Sequence, residues 1–317
     1  MEKNYLNFRT DMADERVDEY KRINNLTDIE GIKVTTNKKE QITTTIVDVL
    51  NENGAKALSK EIGKYVTMDI KDIKYLDEKF KYTISIELSK QIKLLMGESF
   101  KNKQKSVLVV GLGNIYVTPD SLGPKVIQNI EITRHLIHFA KDLVEPNTRE
   151  ISAMSPGVLG TTGIETSEII LSVSKAIKPD FVIAIDSLAS TSIDRLGTTI
   201  QLSNTGITPG AGVKNKREGI NKDILNVPVI AIGVPTVVDM ATITSETLGR
   251  ILDNSFGKNE NIKNENNIFQ IMDPENRYKM IASNLNTENL IVTPKEIDDV
   301  IKIVSEIISD GINLSVN

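Results

Sequence analysis

Three short apolar runs constrain the fold of this chain more than any other feature. They are VLVV at residues 107–110, DFVIAID at residues 180–186 and VPVIAIG at residues 227–233. A run that is apolar at successive positions is typical of a strand buried on both faces, as in a parallel sheet. Helical patterns alternate with these runs along the chain. The sequence therefore predicts an α/β fold, with a mostly parallel sheet as the middle of three layers and helices on both faces.

The N-terminal part of the chain has a different pattern. Residues 1–25 are charged and only weakly periodic, which predicts a mobile or peripheral arm. Residues 32–70 are rich in β-branched side chains, and strands are expected at 42–50 and 65–70 with a short helix at 55–61. We expect this strand-rich region to form a smaller subdomain or to supply edge strands.

Longer helices are expected on both sides of the apolar runs. Apolar residues at helical spacing predict a helix over residues 77–97, and further helices are expected at 165–177, 237–252, 274–285 and 294–309. The sequence TPKE at residues 293–296 has the composition of a capping box at the start of the last helix.

Composition excludes several kinds of site. The 317 residues contain no cysteine, which excludes disulfides, thiol catalysis and thiolate metal ligands and is compatible with a reducing cytosol. The net charge of −5 argues against a general nucleic-acid binder. Residues 1–14 lack the apolar core of a signal peptide, and no apolar run approaches the ~20 residues of a membrane-spanning helix.

Two carboxylates follow apolar runs closely enough to meet in one crevice. Asp120 lies beyond the glycine-rich turn that ends the first run, where Thr118 and Pro119 predict a helix start, and Asp186 ends the second run. The carboxyl ends of neighbouring parallel strands line a common crevice. Two carboxylates held close share a proton, so that one can activate water while the other protonates or polarises a carbonyl.

Within such a pair, we expect Asp120 to ionise more easily because of the helix dipole, and Asp186 to favour its protonated form because of burial. The alternative is purely structural, with Asp120 stabilising a helix and Asp186 capping a loop. Both interpretations stay open at this point.

Other motifs give weaker indications. The turn at Gly111 and Gly113 lacks the third glycine of a dinucleotide-binding loop, and an acid there repels phosphate. His135 and His138 have the spacing of a helical metal pair, but no acidic ligand pattern accompanies them. No GxSxG motif is present. The glycine- and proline-rich loop at residues 204–219 could hold an anion, cover a substrate or contact another subunit.

Taken together, seven segments resemble the germination protease family of spore-forming bacteria. They occur in order along nearly the whole chain: FRTDMA at 8–13, VGLGNIYVTPDSLGP at 110–124, TRH at 133–135, SPGVLGTTGIETSEII at 155–170, AIDSLAS at 184–190, NTGITPGAGV at 204–213 and AIGVPTVVD at 231–239.

This resemblance implies an atypical aspartic-type endopeptidase that degrades small acid-soluble spore proteins during germination. Asp120 and Asp186 match the two proposed catalytic aspartates of the family. The implied fold resembles that of hydrogenase-maturation peptidases, and the implied assembly is a homotetramer in the cytoplasm of the forespore and spore core. No cofactor, metal, direct nucleic-acid contact or membrane contact is expected. Substrate-loop candidates are Gly113, Asn114, Gly210, Lys216 and Arg217.

The resemblance also implies an inactive zymogen that removes its own N-terminal propeptide. Family substrates are cut between an acidic residue and a bulky apolar residue followed by alanine, and Asp11, Met12 and Ala13 have that pattern. We therefore expect a propeptide of residues 1–11, cleaved between Asp11 and Met12, and a single domain of residues 12–317 whose strand-rich part is 12–72.

Two features depart from the family pattern, namely Lys214 where a glycine is expected and Ser187 where alanine is usual. Two other interpretations remain. One is a maturation-type peptidase or binding protein of the same fold, in which Asp120 ligates or recognises a metal. The other is a non-catalytic assembly protein.

Overall fold

One mixed β-sheet runs through the computed structural model, which describes residues 10–71, 73–207, 219–256, 274–285 and 290–317. The strands of these residues follow the order β1-β2-β3-β7-β8-β6-β4-β5, with β9 paired to β8. Their bounds are β1 Ile32–Lys39, β2 Ile42–Val49, β3 Gly63–Ile70, β4 Val107–Gly111, β5 Ile151–Met154, β6 Phe181–Ala189, β7 Thr199–Ser203, β8 Val229–Asp239 and β9 Ile291–Val292.

Helices cover both faces of this sheet. In chain order they are α1 Ala13–Asn24, α2 Glu52–Leu58, α3 Glu78–Met96, α4 Leu122–Ile127, α5 Arg134–Phe139, α6 Leu159–Thr162, α7 Thr166–Ile177, α8 Lys222–Leu225, α9 Met240–Phe256, α10 Pro274–Leu285 and α11 Ile297–Val316. Apolar residues of α3, α4 and α11 form one core with the first face of the sheet. Those of α1, α2, α7 and α8 pack on the opposite face. The predicted three-layer α/β architecture is confirmed.

The three apolar runs form parallel strands, as predicted, and these strands are neighbours in the sheet. Strands β8, β6, β4 and β5 pair in parallel. Two of them extend beyond their apolar runs, since β6 continues to Ala189 and β8 to Asp239. Asp186 therefore lies within a strand and not at its end. This extension could not be predicted from the sequence, because polar residues and Pro235 interrupt the apolar pattern there.

The other half of the sheet is antiparallel, so the expectation of a mostly parallel sheet was wrong. Strands β1, β2 and β3 form an antiparallel meander, and β7 pairs antiparallel with both β3 and β8. Because β7 lies between β3 and β8, the strand-rich N-terminal region adds edge strands to the same sheet.

The N-terminal segment packs into the structure where it is described. Residues 13–24 form α1, and the side chains of Met12 and Ala13 are fully buried. The prediction of a mobile or peripheral arm was therefore wrong for this helix. The charged residues of α1 suggested exposure to solvent. Two of them, Asp14 and Glu15, instead form hydrogen bonds with buried or half-buried partners.

Several predicted helix starts also moved. Thr118 begins a short 3-10 turn, Thr118–Asp120, and α4 starts only at Leu122. The last helix, α11, begins at Ile297, and Glu296 makes no side-chain capping bond there. Thr293 instead donates to the carbonyl oxygen of Thr236 at 2.8 Å, which links the start of this segment to β8.

A buried arginine, Arg149, connects the C-terminal end of α11 to the segment that precedes β4. Arg149 is only 4% exposed, and its guanidinium lies 4.0 Å from the centre of the Phe100 ring. It donates to the carbonyl oxygens of Phe100 at 2.8 Å, Lys105 at 2.7 Å and Val316 at 2.8 Å. These bonds hold the end of α11 against the segment that leads into β4.

Replacing Arg149 with leucine is expected to lower the free energy of unfolding by about 3 kcal/mol or more, because buried carbonyl oxygens lose a charged donor. Urea denaturation measures the change. Arg22→Leu, at an exposed position on α1, is the matched control and should change the free energy by less than about 0.5 kcal/mol. Equal effects of the two substitutions would contradict the assigned role of Arg149.

Candidate active site

A cavity of about 700 Å³ opens on the face of the sheet that carries α1, α2, α7 and α8. We call it the central cleft. Its lining comes from the start of α1, the loop after α2, the turn between β4 and α4, and strands β6, β7 and β8. The residues used below are Asp11, Arg16, Lys60, Gly113, Asn114, Asp120, Asp186, Gln201 and Gly233. The central cleft thus contains both predicted aspartates.

The turn after β4 presents Asp120 to the central cleft. Gly113 has a φ of +108°, and a Cβ atom there would lie 2.1 Å from the carbonyl oxygen of Asp120. The amide N–H of Asn114 lies 2.9 Å from Asp120 Oδ2 and donates to this carboxylate. Only glycine fits this close approach at a positive φ. The turn therefore fixes the position of the carboxylate, and both Gly113 and Asn114 line the cleft.

Asp186 reaches the same cleft from within β6. It is 7% exposed, and its Oδ1 accepts a hydrogen bond of 2.9 Å from the amide of Ser187. In register it lies opposite Gly233 of β8, which in turn lies opposite Gln201 of β7. Asp186 is more buried than the half-buried Asp120, which agrees with the burial part of the sequence argument. The helix-dipole part is weakened, because α4 begins two residues after Asp120.

Asp11, the first residue of the predicted cleavage sequence, also lines the central cleft. Asp11 pairs with the end of β6, since its amide donates to the carbonyl oxygen of Ala189 at 3.3 Å and its Oδ2 accepts from the Ala189 amide at 3.2 Å. Asp11 O accepts from Lys60 Nζ at 2.7 Å and from Gln201 Nε2 at 2.9 Å. The peptide bond between Asp11 and Met12 is therefore held by side chains of the cleft.

An ion-paired cluster anchors the first turn of α1 beside the cleft. Arg195 donates to both carboxylate oxygens of Asp14, at 2.9 and 2.7 Å. Burial opposes the charge of Arg195, but the bonds and charge of Asp14 outweigh it and raise the pKa of the guanidinium. Glu15 accepts from Thr191 Oγ1 at 2.6 Å and from Ser190 Oγ at 2.9 Å. Bidentate pairs of this kind fix orientation as well as position.

Two bases in the cleft are affected by burial. The pKa of Lys60 is lowered to about 8, mainly by burial and then by the nearby charge of Arg16. Burial also lowers the pKa of Arg16, with the charge of Asp11 opposing that change. Arg16 donates to the carbonyl oxygen of Thr10 at 3.0 Å, so it helps to hold the same N-terminal segment.

Comparison with known proteins identifies the family of this chain. A family model described as "Germination protease" matches residues 9–278. The chain belongs to the germination protease family. Family membership assigns it a peptidase activity and a role in spore germination.

Curated relatives span nearly the whole chain. A germination protease of Clostridium tetani is 44% identical over 312 residues, covering 98% of this chain and 95% of the relative. One of Clostridium perfringens is 45% identical over 316 residues, with the same coverage. One of Bacillus cereus is 38% identical over 322 residues, covering 91% of this chain and 88% of the relative.

The search of solved structures gives a weaker likeness. A NiFe hydrogenase maturation protease of Thermococcus kodakarensis shares 19% identity, with a TM-score of 0.28, over 42% of this chain and 74% of that chain. At that score the likeness carries no argument about the fold or the site.

The histidines of this germination protease family member lie away from the cleft. In α5, His138 Nε2 lies 3.4 Å from Glu150 Oε2. Across the described residues, no three His, Asp or Glu side chains form a group that could hold a metal ion. None of the helices described here is long and apolar enough to cross a membrane.

Three of the substrate-loop candidates, Gly210, Lys216 and Arg217, lie outside the described residues, as does Lys214. Sequence reasoning missed Lys60, Gln201 and Arg16. They belong to no motif, and only the strand order brings Gln201 and Lys60 to the same atom. The only sequence signal for this region was the cleavage pattern at Asp11, the residue whose carbonyl oxygen Lys60 and Gln201 bind.

Replacing Gly113 with alanine is expected to lower peptidase activity at least tenfold, because the new Cβ atom displaces the backbone that carries Asp120. The measurement is the hydrolysis rate of a peptide containing acid–Ile–Ala, with thermal unfolding recorded in parallel. Gly160→Ala is the control, since a Cβ atom there meets nothing within 4 Å. Full activity of Gly113→Ala would show that the turn geometry does not govern the site.

Proposed function

We propose that this chain is an endopeptidase that begins the degradation of small acid-soluble spore proteins, with Asp120 and Asp186 activating water. The observation that carries the proposal is the content of the central cleft. Both carboxylates line it together with Asp11, the acidic residue of an acid–apolar–alanine sequence. The peptidase activity follows from family membership, and the shared cleft of Asp11, Asp120 and Asp186 supports the assignment of that activity to the two carboxylates.

In the proposed mechanism, the two carboxylates share one proton and titrate as a pair. The ionised carboxylate removes a proton from water, and the water oxygen attacks the carbonyl carbon. The protonated carboxyl then gives its proton to the leaving amine as the C–N bond breaks. We assign the ionised role to Asp120, which accepts a backbone N–H bond from Asn114, and the protonated role to the more buried Asp186.

We further propose that the chain is made as a zymogen. Residues 1–11 form the propeptide, and cleavage between Asp11 and Met12 leaves residues 12–317. Asp11 of the uncleaved chain lines the cleft and accepts a hydrogen bond from Lys60, which supports competition with any other substrate. The proposal includes a homotetramer in the cytoplasm of the forespore and spore core, and no cofactor. Support for these parts is the family membership together with the acid–apolar–alanine sequence.

Asp120→Asn and Asp186→Asn are each expected to reduce peptide hydrolysis at least a hundredfold, because each removes one proton-transfer group. The assay uses a peptide containing acid–Ile–Ala, with and without a chelator. Asp142→Asn, at an exposed position outside the cleft, is the matched control. Activity retained by either cleft variant would contradict the proposed catalytic pair. Loss of wild-type activity with a chelator would favour a metal-dependent peptidase, and an inactive wild-type protein would favour the assembly role.

The N-terminus of the active enzyme is expected to be Met12. N-terminal sequencing and intact mass detect the loss of residues 1–11 from the wild-type protein. Asp120→Asn should keep its original N-terminus under the same conditions, because it cannot cut itself. An intact N-terminus on fully active wild-type enzyme would contradict self-processing at this bond.

A further inference from the structure

Two side chains converge on one backbone oxygen in the central cleft. The carbonyl oxygen of Asp11 accepts from Lys60 Nζ at 2.7 Å and from Gln201 Nε2 at 2.9 Å. Lys60 follows α2 and Gln201 lies in the middle of β7, so the two donors come from distant parts of the chain. The oxygen that they share belongs to the bond that the proposed self-cleavage breaks.

The sheet places Gln201 in line with the proposed acid. Gln201, Gly233 and Asp186 occupy one row across β7, β8 and β6. Adjacent strands lie about 4.8 Å apart, so the two outer residues are separated by roughly 10 Å. The residue between them is a glycine covered by the Leu188 side chain, since a Cβ atom at Gly233 would lie 2.4 Å from it. The row therefore places an amide donor and a carboxyl group on the same face of the sheet.

The amide of Gln201 contacts the chain on both sides of Met12. Its Oε1 accepts from the amide of Ala13 at 2.7 Å, while its Nε2 donates to the carbonyl oxygen of Asp11. The two bonds fix which end of the amide faces the carbonyl. Gln201 is 8% exposed, so water competes little for these bonds. This contact holds the peptide bond between Asp11 and Met12 in one orientation.

We propose that Lys60 and Gln201 form the oxyanion-binding site of this peptidase, which polarises the carbonyl of the bond to be cut. The inference rests on the proposed function, in which the aspartates activate water at that bond. When water oxygen bonds to the carbonyl carbon, the carbonyl electron pair moves onto oxygen. Lys60 and Gln201 stabilise that negative charge through hydrogen bonds without transferring a proton. The C–N bond then breaks, and the amine takes its proton from the carboxyl pair.

Because Lys60 must be charged to polarise the carbonyl strongly, the rate of self-cleavage is expected to depend on pH. Its pKa of about 8 reflects burial and Arg16, partly offset by Asp11, Asp14 and Glu15. Tyr65 also faces the ammonium, with its ring centre 5.5 Å from Nζ, and burial raises the pKa of that phenol, which keeps it neutral in this range. The nearby Glu61 has a pKa raised by burial and by Asp223. A lysine with a lowered pKa is charged below about 8, so carbonyl polarisation weakens as pH rises through 8.

The test follows self-cleavage of the full chain by intact mass, as a first-order rate between pH 6 and 10. Lys60→Met is expected to slow cleavage 100- to 1,000-fold, the usual loss for one oxyanion donor. Lys60→Arg should restore most of the rate and should not lose it above pH 8, because arginine stays charged. Lys56→Met, at an exposed position on α2, should match the wild type.

Gln201→Glu provides a second variant of nearly identical shape. Its carboxylate faces the carbonyl oxygen, so it is expected to slow cleavage at least 100-fold without unfolding the protein, as checked by circular dichroism and thermal unfolding. If Lys60→Met fails to fold, this variant and Lys60→Arg still decide the question.

The outcomes separate this inference from the proposed function. A folded Lys60→Met that cleaves within threefold of the wild-type rate overturns the oxyanion site, as does a Lys60→Arg profile that still falls at pH 8. If Asp120→Asn is still inactive in that case, the proposed catalytic role of the two carboxylates is unaffected. Cleavage by Asp120→Asn, or no self-cleavage by the wild type, overturns the proposed function itself.

Discussion

Strand β8 is the constraint on which the candidate site depends. It pairs in parallel with β6 and antiparallel with β7, so it joins a parallel half-sheet to an antiparallel one. Its Gly233 lies between Asp186 and Gln201, and a Cβ atom there would come within 2.4 Å of the Leu188 side chain. A glycine in mid-strand usually weakens a sheet. Here it leaves room for the Leu188 side chain, which lines the cleft together with Asp186 and Gln201.

The sequence was most informative where burial is complete. The apolar runs of β4, β6 and β8 predicted buried parallel strands, and the glycine-rich turn predicted that Asp120 would follow the end of β4. The limits of β6 and β8 could not be predicted, because polar residues that face the cleft break the apolar pattern without ending the strand. The antiparallel direction of β7 could not be predicted either. The direction of a strand depends on the neighbours with which it pairs, and the five residues of β7 do not reveal those neighbours.

The N-terminal segment shows how polar residues can mislead a reading of periodicity. A charged, weakly periodic segment is usually solvated. In α1 the charges instead bind specific partners, with Asp14 on Arg195 and Glu15 on Ser190 and Thr191. Such polar anchors position a segment precisely while contributing little apolar burial, and they depend on residues 175 to 181 positions away. The family motif predicted a cleavage sequence, but only the tertiary structure places its Asp11 in the cleft that Asp120 and Asp186 line.

The complete burial of Met12 has a consequence for the direction of the reaction. Hydrolysis of a peptide bond at neutral pH turns one uncharged amide into a carboxylate and an ammonium. The new ammonium would arise on a residue with no exposed surface, at the start of a helix whose dipole disfavours positive charge. If the proposed self-cleavage occurs, the severed ends cannot both keep their former positions, so local rearrangement accompanies the cut. Re-formation of the bond is then disfavoured, and the proposed conversion of zymogen to enzyme is irreversible.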